Sequence, residues 1–312
     1  MKPQNSKNTA HSSSATPESE SANASLTSPL ENLEQLNVEK EPKIPFSREE
    51  LKDIIVGLER DIANGKWLKG NYHYANTDLK MMPALIENAN RKYQGLNLKL
   101  ITTSEGLVFS IKEAIAHGVQ SSRYIVNTSD KGIHFLVLDQ RTIDNKTSLI
   151  AFESATLKNE IPLLLAIRIQ FIIQEQLPEC YLSKMEMDIQ RSSSECGIMS
   201  LALAKKLHTE SEKLTRMHKD NINGVLNKTH LTLPPEKVDP YLPASFYKHT
   251  QGRRRLGEYI KSNPEAEHEK VNKKNETLSE RFHKNLVETE GKTVSVSLHR
   301  KRVSEYKSTL AL

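Results

Sequence analysis

Cysteine is scarce in this chain: two residues, Cys180 and Cys196, among 312. So few excludes a disulfide framework, and neither lies in the C-x-x-C pair or beside the histidines that a zinc site needs. A reducing workplace fits that usage. Aromatic residues make up only 5% of the chain, and residues 1–45 contain no Phe, Tyr or Trp. That segment is dominated by Ser, Asn, Glu and Thr, and it cannot bury enough apolar surface to offset the entropy of ordering. It is expected to be disordered. It also lacks the basic start and apolar stretch of a secretory signal peptide. No run approaches the roughly 18 apolar residues that span a bilayer, so no transmembrane helix is expected. Neither G-x-x-x-x-G-K-[ST] nor G-x-G-x-x-G occurs, which removes the standard nucleotide cradles, and no internal repeat is found.

Folding signals begin at Pro45-Phe46. Ser47 and Glu50 have capping-box spacing, Phe46 and Leu51 suit a hydrophobic staple, and Leu51, Ile54, Ile55, Leu58 and Ile62 recur at helical period up to Gly65. A second helix is expected to start near Pro83 and end at Gly95. After it, "LNLKLIT" alternates as a strand, "LVFSIKEAIAHG" returns to helical period, and "SRYIVN" is again strand-like. Two strands joined through Asp144-Asn145-Lys146 follow. A turn centred on Asp144-Asn145 sets Leu136 opposite Glu153, with His134 expected mid-strand on the same face and therefore diagonal to Glu153. Pro162 opens an apolar helix, "CYLSKMEMDIQ" reads as a strand, and helix resumes from Cys196 to His208. The remainder alternates helical stretches with a Pro-punctuated link, a strand "TVSVSLH", and a last helix carrying Val303, Tyr306 and Leu310 on one face. The order implies an α+β fold, a mixed sheet flanked by helices.

The net charge of +5 is unevenly placed, for the stretch from Tyr241 onward holds 15 Lys and Arg against 9 Asp and Glu. Such a surplus either holds something anionic or forms a solvated basic face. Nucleic acid is disfavoured as the partner, because no zinc knuckle or aromatic-rich basic strand is present.

Cys196 stands between "QRSSSE" and the helical "CGIMSLALAKKL". Unsatisfied N–H groups and the helix dipole at such a position favour the anionic form of a thiol, which is the nucleophilic form. Gly197 beside it would permit close approach of a substrate backbone. The plainer reading is a buried cysteine acting as a small hydrophobe, which also accounts for Cys180 on its expected strand. A nucleophile needs a base, and the base an orienting group; His134 and Glu153 supply that pair through the hairpin. Gln190, in the loop before Cys196, places a side-chain amide where it can donate to a developing oxyanion.

Several separated blocks, "DLKMMPALIENANRKY", "GIHFLVLD", "MEMDIQRSSSECGIMSLALAKKL" and "DPYLPASFYKHTQGRRRLGEYIKSNP", resemble in order the YopJ family of type III secreted acetyltransferases, nearest its animal-pathogen branch. The resemblance runs from Phe46 to the C-terminus. It implies a clan CE (Ulp/adenain-like) cysteine-protease-like core adapted to acetyl transfer from acetyl-CoA. In that pattern His134 is the base, Glu153 the acidic member, Cys196 the nucleophile and Gln190 the oxyanion-hole glutamine. Ser154 departs from it, since proline is expected after the glutamate. The resemblance further implies activation by inositol hexakisphosphate, for which Arg254, Lys273, Lys274, Arg302 and Lys307 are candidate ligands, with Arg123 from the core. Expected targets are activation-loop Ser and Thr of host MAP kinase kinases, with IkB kinases as further partners. Residues 1–45 would be the segment read by the type III secretion apparatus, 46–240 the catalytic core and 241–312 a basic, helical regulatory region; the host cell cytoplasm would be the place of action. Two rivals stand beside this reading. The same triad serves a clan CE protease acting on ubiquitin-like conjugates, and a basic C-terminal region also suits a non-enzymatic adaptor.

Overall fold

The hairpin around Asp144 and Asn145 sets the register from which the rest of the fold is built. Both residues have positive φ, 50° and 61°, the backbone of the two-residue turn whose twist matches paired strands. They join β3 (Leu136–Ile143) to β4 (Lys146–Glu153), with Ile143 opposite Lys146 and Val137 opposite Phe152. This is the register expected from the sequence. The computed structural model describes residues 44–64, 72–128, 132–227, 232–289 and 291–310. Residues 1–43, which hold most of the expected secretion segment, lie outside the described residues.

Ahead of the hairpin come α1 (Arg48–Asn64), α2 (Tyr72–Lys92), β1 (Leu98–Ile101), α3 (Ser104–Ala116) and β2 (Ser121–Val126). After it follow α4 (Glu160–Gln176), β5 (Tyr181–Glu186), α5 (Cys196–Thr209), α6 (Thr215–Ile222), the single turn α7 (Pro235–Val238), α8 (Arg253–Ser262), α9 (Leu278–Lys284), β6 (Leu286–Thr289), β7 (Lys292–Ser295) and α10 (Ser297–Leu310). The main sheet has the order β1-β2-β3-β4-β5, with parallel outer pairs and antiparallel inner ones. This is the mixed sheet flanked by helices that the sequence implied. Strand alternation sends Tyr124, Val126, Leu136, Leu138, Leu149 and Ala151 into a layer with α3 and α4. Ile125, Val137, Ile150 and Phe152 point the other way, into a larger core with α1, α2, α5 and the C-terminal helices. Helix α5 begins inside that core, with residues from Cys196 through Ala204 all buried, and its charged residues fall in its last turns.

Five local expectations are corrected. Helix α2 starts at Tyr72, and Pro83 lies inside it rather than at its start. Its first half carries Thr77 and Asp78, polar yet buried, which erases the hydrophobic period there. His134 precedes β3 instead of sitting within it, and Cys180 precedes β5. In "TVSVSLH" the strand stops at Ser295 and α10 begins at Ser297. Gly197 faces the core, not a substrate: a Cβ there would lie 3.2 Å from Asp78 and Met82 and 3.3 Å from Phe135. The glycine lets α5 approach α2 and the segment that carries His134.

Candidate active site

The end of the hairpin places an imidazole against a carboxylate. His134 Nε2 lies 2.7 Å from Glu153 Oε2, and Glu153 Oε1 accepts the Ala155 N–H at 2.7 Å. Both carboxylate oxygens are thereby oriented, and the ring is fixed with Nδ1 turned away from Glu153. The side chain of Cys196, the first residue of α5, lies close enough to His134 to help raise the imidazole's pKa; its sulfur lies 3.9 Å from Ile133 O. Burial of His134, only 6% exposed, opposes its cation. The Glu153 charge and the bonds to Cys196 and Glu153 outweigh this and raise its pKa to about 10. The three side chains are thus assembled with His134 in the middle.

Gln190 reaches the same place from the other side. The chain leaving β5 continues along the end of β4, with Met187 N–H on Glu153 O and Ile189 and Gln190 N–H on Ser154 O. Ser154 Oγ donates to Gln190 Oε1 at 2.8 Å, and Gln190 Nε2 donates to Ser192 O at 2.5 Å. The serine that stands where proline was expected therefore orients the glutamine amide. A cleft of about 510 Å³ is lined by His134, Gln190, Ser192, Ser193, Lys158 and Arg191, among others. Cys196 is buried and touches two residues of its wall, Ile133 and His134.

The six residues read as polyanion ligands stand in different surroundings. Arg123 is enclosed in the core, its Nε 2.9 Å from Asp139 Oδ1. Arg302 is equally enclosed and forks onto Asp78 at 2.9 and 3.0 Å. Both guanidinium groups are committed to buried carboxylates. Lys307 pairs with Glu59 at 2.6 Å, Arg254 is 81% exposed beside Glu258, and Lys273 and Lys274 are exposed in a turn. A denser group of cations was not anticipated. Lys206 of α5, Arg281 of α9 and Lys301 of α10 lie around Lys248, and Glu305 among them pairs with Lys205 and Lys301. Burial, followed by the charges of Lys206, Lys301 and Arg281, lowers the Lys248 pKa to about 7. Adjacent His249 has a buried Nε2 with no hydrogen-bond partner among the described residues. Like charges gathered in this way favour an anion among them. The group's members were legible only as parts of "LALAKKL", "SFYKHTQG", "SERFHKNL" and "SLHRKRV", since nothing local distinguishes a clustered cation from a solvated one. Among the described residues, no group of His, Cys, Asp and Glu is placed to hold a metal ion, and no helix is long and apolar enough to cross a membrane.

A thiol at a helix start, joined through an imidazole to a carboxylate at the end of a mixed sheet, is the arrangement of enzymes that pass an acyl group through sulfur. The family described as YopJ Serine/Threonine acetyltransferase matches residues 51–308, and the chain belongs to it. The serine/threonine-protein acetyltransferase YopJ of Yersinia pestis is 50% identical over 284 residues, covering 89% of this chain and 98% of the relative; that of Yersinia pseudotuberculosis is equally similar. A solved AvrA deletion variant with IP6 and CoA is 50% identical, with a TM-score of 0.80 over 85% of this chain and 99% of the other. HopZ1a in complex with IP6 and CoA, at 19% identity and a TM-score of 0.66, covers 84% of this chain and 98% of its own and shares the fold. Membership makes the chain an acetyltransferase and sets aside the protease and adaptor readings.

Proposed function

We propose that the chain transfers acetyl from acetyl-CoA, through an acetyl-cysteine on Cys196, to Ser or Thr hydroxyls of host MAP kinase kinases and IkB kinases. The observation that carries the chemistry is the Cys196–His134–Glu153 arrangement, with the carboxylate 2.7 Å from the ring. In the first half-reaction the Cys196 sulfur attacks the thioester carbonyl while its proton resides on His134. The carbonyl oxygen becomes an oxyanion next to the start of α5 and the Gln190 amide. The carbon–sulfur bond to CoA then breaks, and His134 returns a proton to the departing thiolate. In the second half-reaction neutral His134 takes the proton of the acceptor hydroxyl as its oxygen attacks the acetyl carbon, and Cys196 leaves as thiolate. Glu153 holds the ring tautomer and balances the imidazolium in both halves. Lys158 and Arg191, the cations lining the cleft, are suited to the CoA phosphates.

Inositol hexakisphosphate is proposed as activator, held by Lys206, Lys248, Arg281 and Lys301. The burial and crowding that depress the Lys248 pKa, together with a His249 Nε2 that has no partner among the described residues, fit a dense polyanion there. The family resemblance supports delivery by a type III secretion apparatus and action in the host cytoplasm, where acetylated activation-loop hydroxyls can no longer be phosphorylated. The test is peptide mass spectrometry after incubation with acetyl-CoA and a kinase-kinase substrate, with and without inositol hexakisphosphate. Acetyl on activation-loop Ser or Thr is expected only with the wild-type chain and the activator. Undiminished acetylation by Cys196→Ala would refute the cysteine route.

A further inference from the structure

Glu195, the residue before Cys196, occupies the cap position of α5 but makes no capping hydrogen bond. A side-chain oxygen at that position ordinarily accepts an N–H of the first helical turn. Here the carboxylate is fully buried and turned elsewhere. Gln251 Nε2 donates to Glu195 Oε2, and Glu195 Oε1 lies 3.8 Å from Arg302 Nη1 and 3.7 Å from His299 Nδ1.

The same two residues, Gln251 and Arg302, grip the backbone of the loop. Gln251 Oε1 accepts the N–H of Arg191 at 2.5 Å and of Ser192 at 3.0 Å, and the Gln251 N–H donates to Ile189 O at 2.9 Å. Arg302 Nη2 donates to Ser194 O at 2.6 Å, while the guanidinium is anchored on Asp78 of α2. Tyr306 OH donates to Asp78 Oδ1 at 2.7 Å, and Arg302 Nη1 lies 2.9 Å from His299 Nδ1. Burying this many charges is costly, and apolar groups of the same volume often serve stability as well or better. Stability alone therefore does not account for a network that converges on the residues leading into Cys196.

We propose that Gln251 and Arg302 are positioning residues for Cys196: they hold the Glu195 carboxylate off the start of α5 and fix the loop that leads to it. The first-turn N–H groups, which have no partner within the helix, and the positive end of its dipole then serve the Cys196 thiolate and the developing oxyanion. Were the carboxylate to swing onto the helix start, it would occupy those donors and set a negative charge beside the sulfur. The inference rests on Cys196 being the nucleophile.

The experiment uses the full-length protein with Gln251→Met, Arg302→Gln and Arg302→Lys, each alone and combined with Glu195→Gln. Three quantities are read: the thermal midpoint, the rate of Cys196 alkylation by iodoacetamide, and kcat and KM for acetyl-CoA. In Gln251→Met and Arg302→Gln, alkylation is expected to slow by about 10-fold through loss of the helix-end effect. Their kcat should fall by about 100-fold, the scale of a misplacement near 1 Å, while KM changes by less than about 2-fold. Arg302→Lys keeps the charge and should retain much of both rates. Glu195→Gln should restore alkylation in the Gln251→Met and Arg302→Gln backgrounds, because a neutral amide no longer opposes the thiolate; a merely architectural role predicts no such rescue. Folded variants with wild-type alkylation and kcat, or failure of Glu195→Gln to rescue, overturn the proposal. If Arg302→Gln does not fold, Gln251→Met carries the test, and unfolding of both shows the network to be architectural only. Cys196→Ala, run alongside, separates the two readings: an active Cys196→Ala removes the nucleophile itself, whereas an inactive one with wild-type-like Gln251 and Arg302 variants removes only the positioning.

Discussion

At the scale of the residue, the site turns on how one imidazole is treated by its neighbours. Burial disfavours the His134 cation, but the Glu153 charge and the bonds to Cys196 and Glu153 raise its pKa from the usual 6.5 to about 10. A base whose folded pKa exceeds its unfolded one stabilises the fold fully below the unfolded value. That contribution is lost as pH rises through the folded value, here from about 6.5 to about 10. Glu153→Gln removes the main raising cause, so the His134 pKa should fall sharply and the variant should lose the wild type's extra stability at neutral pH. Imidazole NMR titration with denaturant unfolding at pH 6 and above pH 10 checks both. A His134 pKa unmoved by the substitution would mean that Glu153 does not govern the ring. This pairing was legible in sequence because His134 and Glu153 are joined by a short hairpin. A positive-φ Asp-Asn turn fixes register, and register fixes which side chains meet. The ring's position just outside β3 was not legible, since strand ends depend on hydrogen bonds to neighbours and not on alternation.

At the scale of the element, α5 carries the proposed nucleophile at its start, and its first turn is packed without slack. The space at Gly197 is filled by Asp78, Met82 and Phe135. Gly197→Ala gains helix propensity but must push α2 or the His134 segment away. It is expected to destabilise the fold by about 1–3 kcal/mol, the usual cost of overpacking, and to reduce acetyl transfer by displacing His134 from Cys196. Thermal unfolding and single-turnover acetylation measure the two effects; a variant as stable and active as wild type would show that α2 can retreat freely. The sequence marked α5 by its apolar run and its polar approach. It did not mark the first half of α2, whose inward face carries Asp78 and Thr77. Polar residues at core positions make sense only once the partner that satisfies them is known, and Asp78 meets Arg302 from the far end of the chain.

At the scale of the whole molecule, cations of α5, α9 and α10 gather around Lys248 from elements far apart in sequence. Lys248, with its pKa lowered to about 7, is largely neutral in the folded chain at pH 8 and charged in the unfolded one. Without an anion, stability therefore rises with pH from about 7 towards the ordinary lysine value of 10.5. A polyanion bound beside Lys248 favours its charged form, so binding of inositol hexakisphosphate at pH 8 is expected to take up protons. Calorimetry in two buffers of different ionisation enthalpy reads this directly, and the uptake should shrink in Lys248→Met. Binding without uptake, or uptake unchanged in that variant, would place the activator elsewhere. At about 100 times its dissociation constant the activator should also add about 2.7 kcal/mol of stability.

By itself the sequence determined what neighbouring residues decide. The order of helices and strands as far as α5, the hairpin register, the His134–Glu153 pair and the placing of Cys196 at a helix start all follow from periodicity and turn chemistry, which act over a few residues. Only the tertiary structure decided which charges are available. Arg123 and Arg302 read as free cations in the sequence and are consumed by Asp139 and Asp78 in the core, while Lys206, Lys248, Arg281 and Lys301 are gathered to one place. The reason is that an ion pair carries no period and no motif. Its partner, its burial and therefore its strength are set by which helices dock, and docking is decided by the packing of the whole chain.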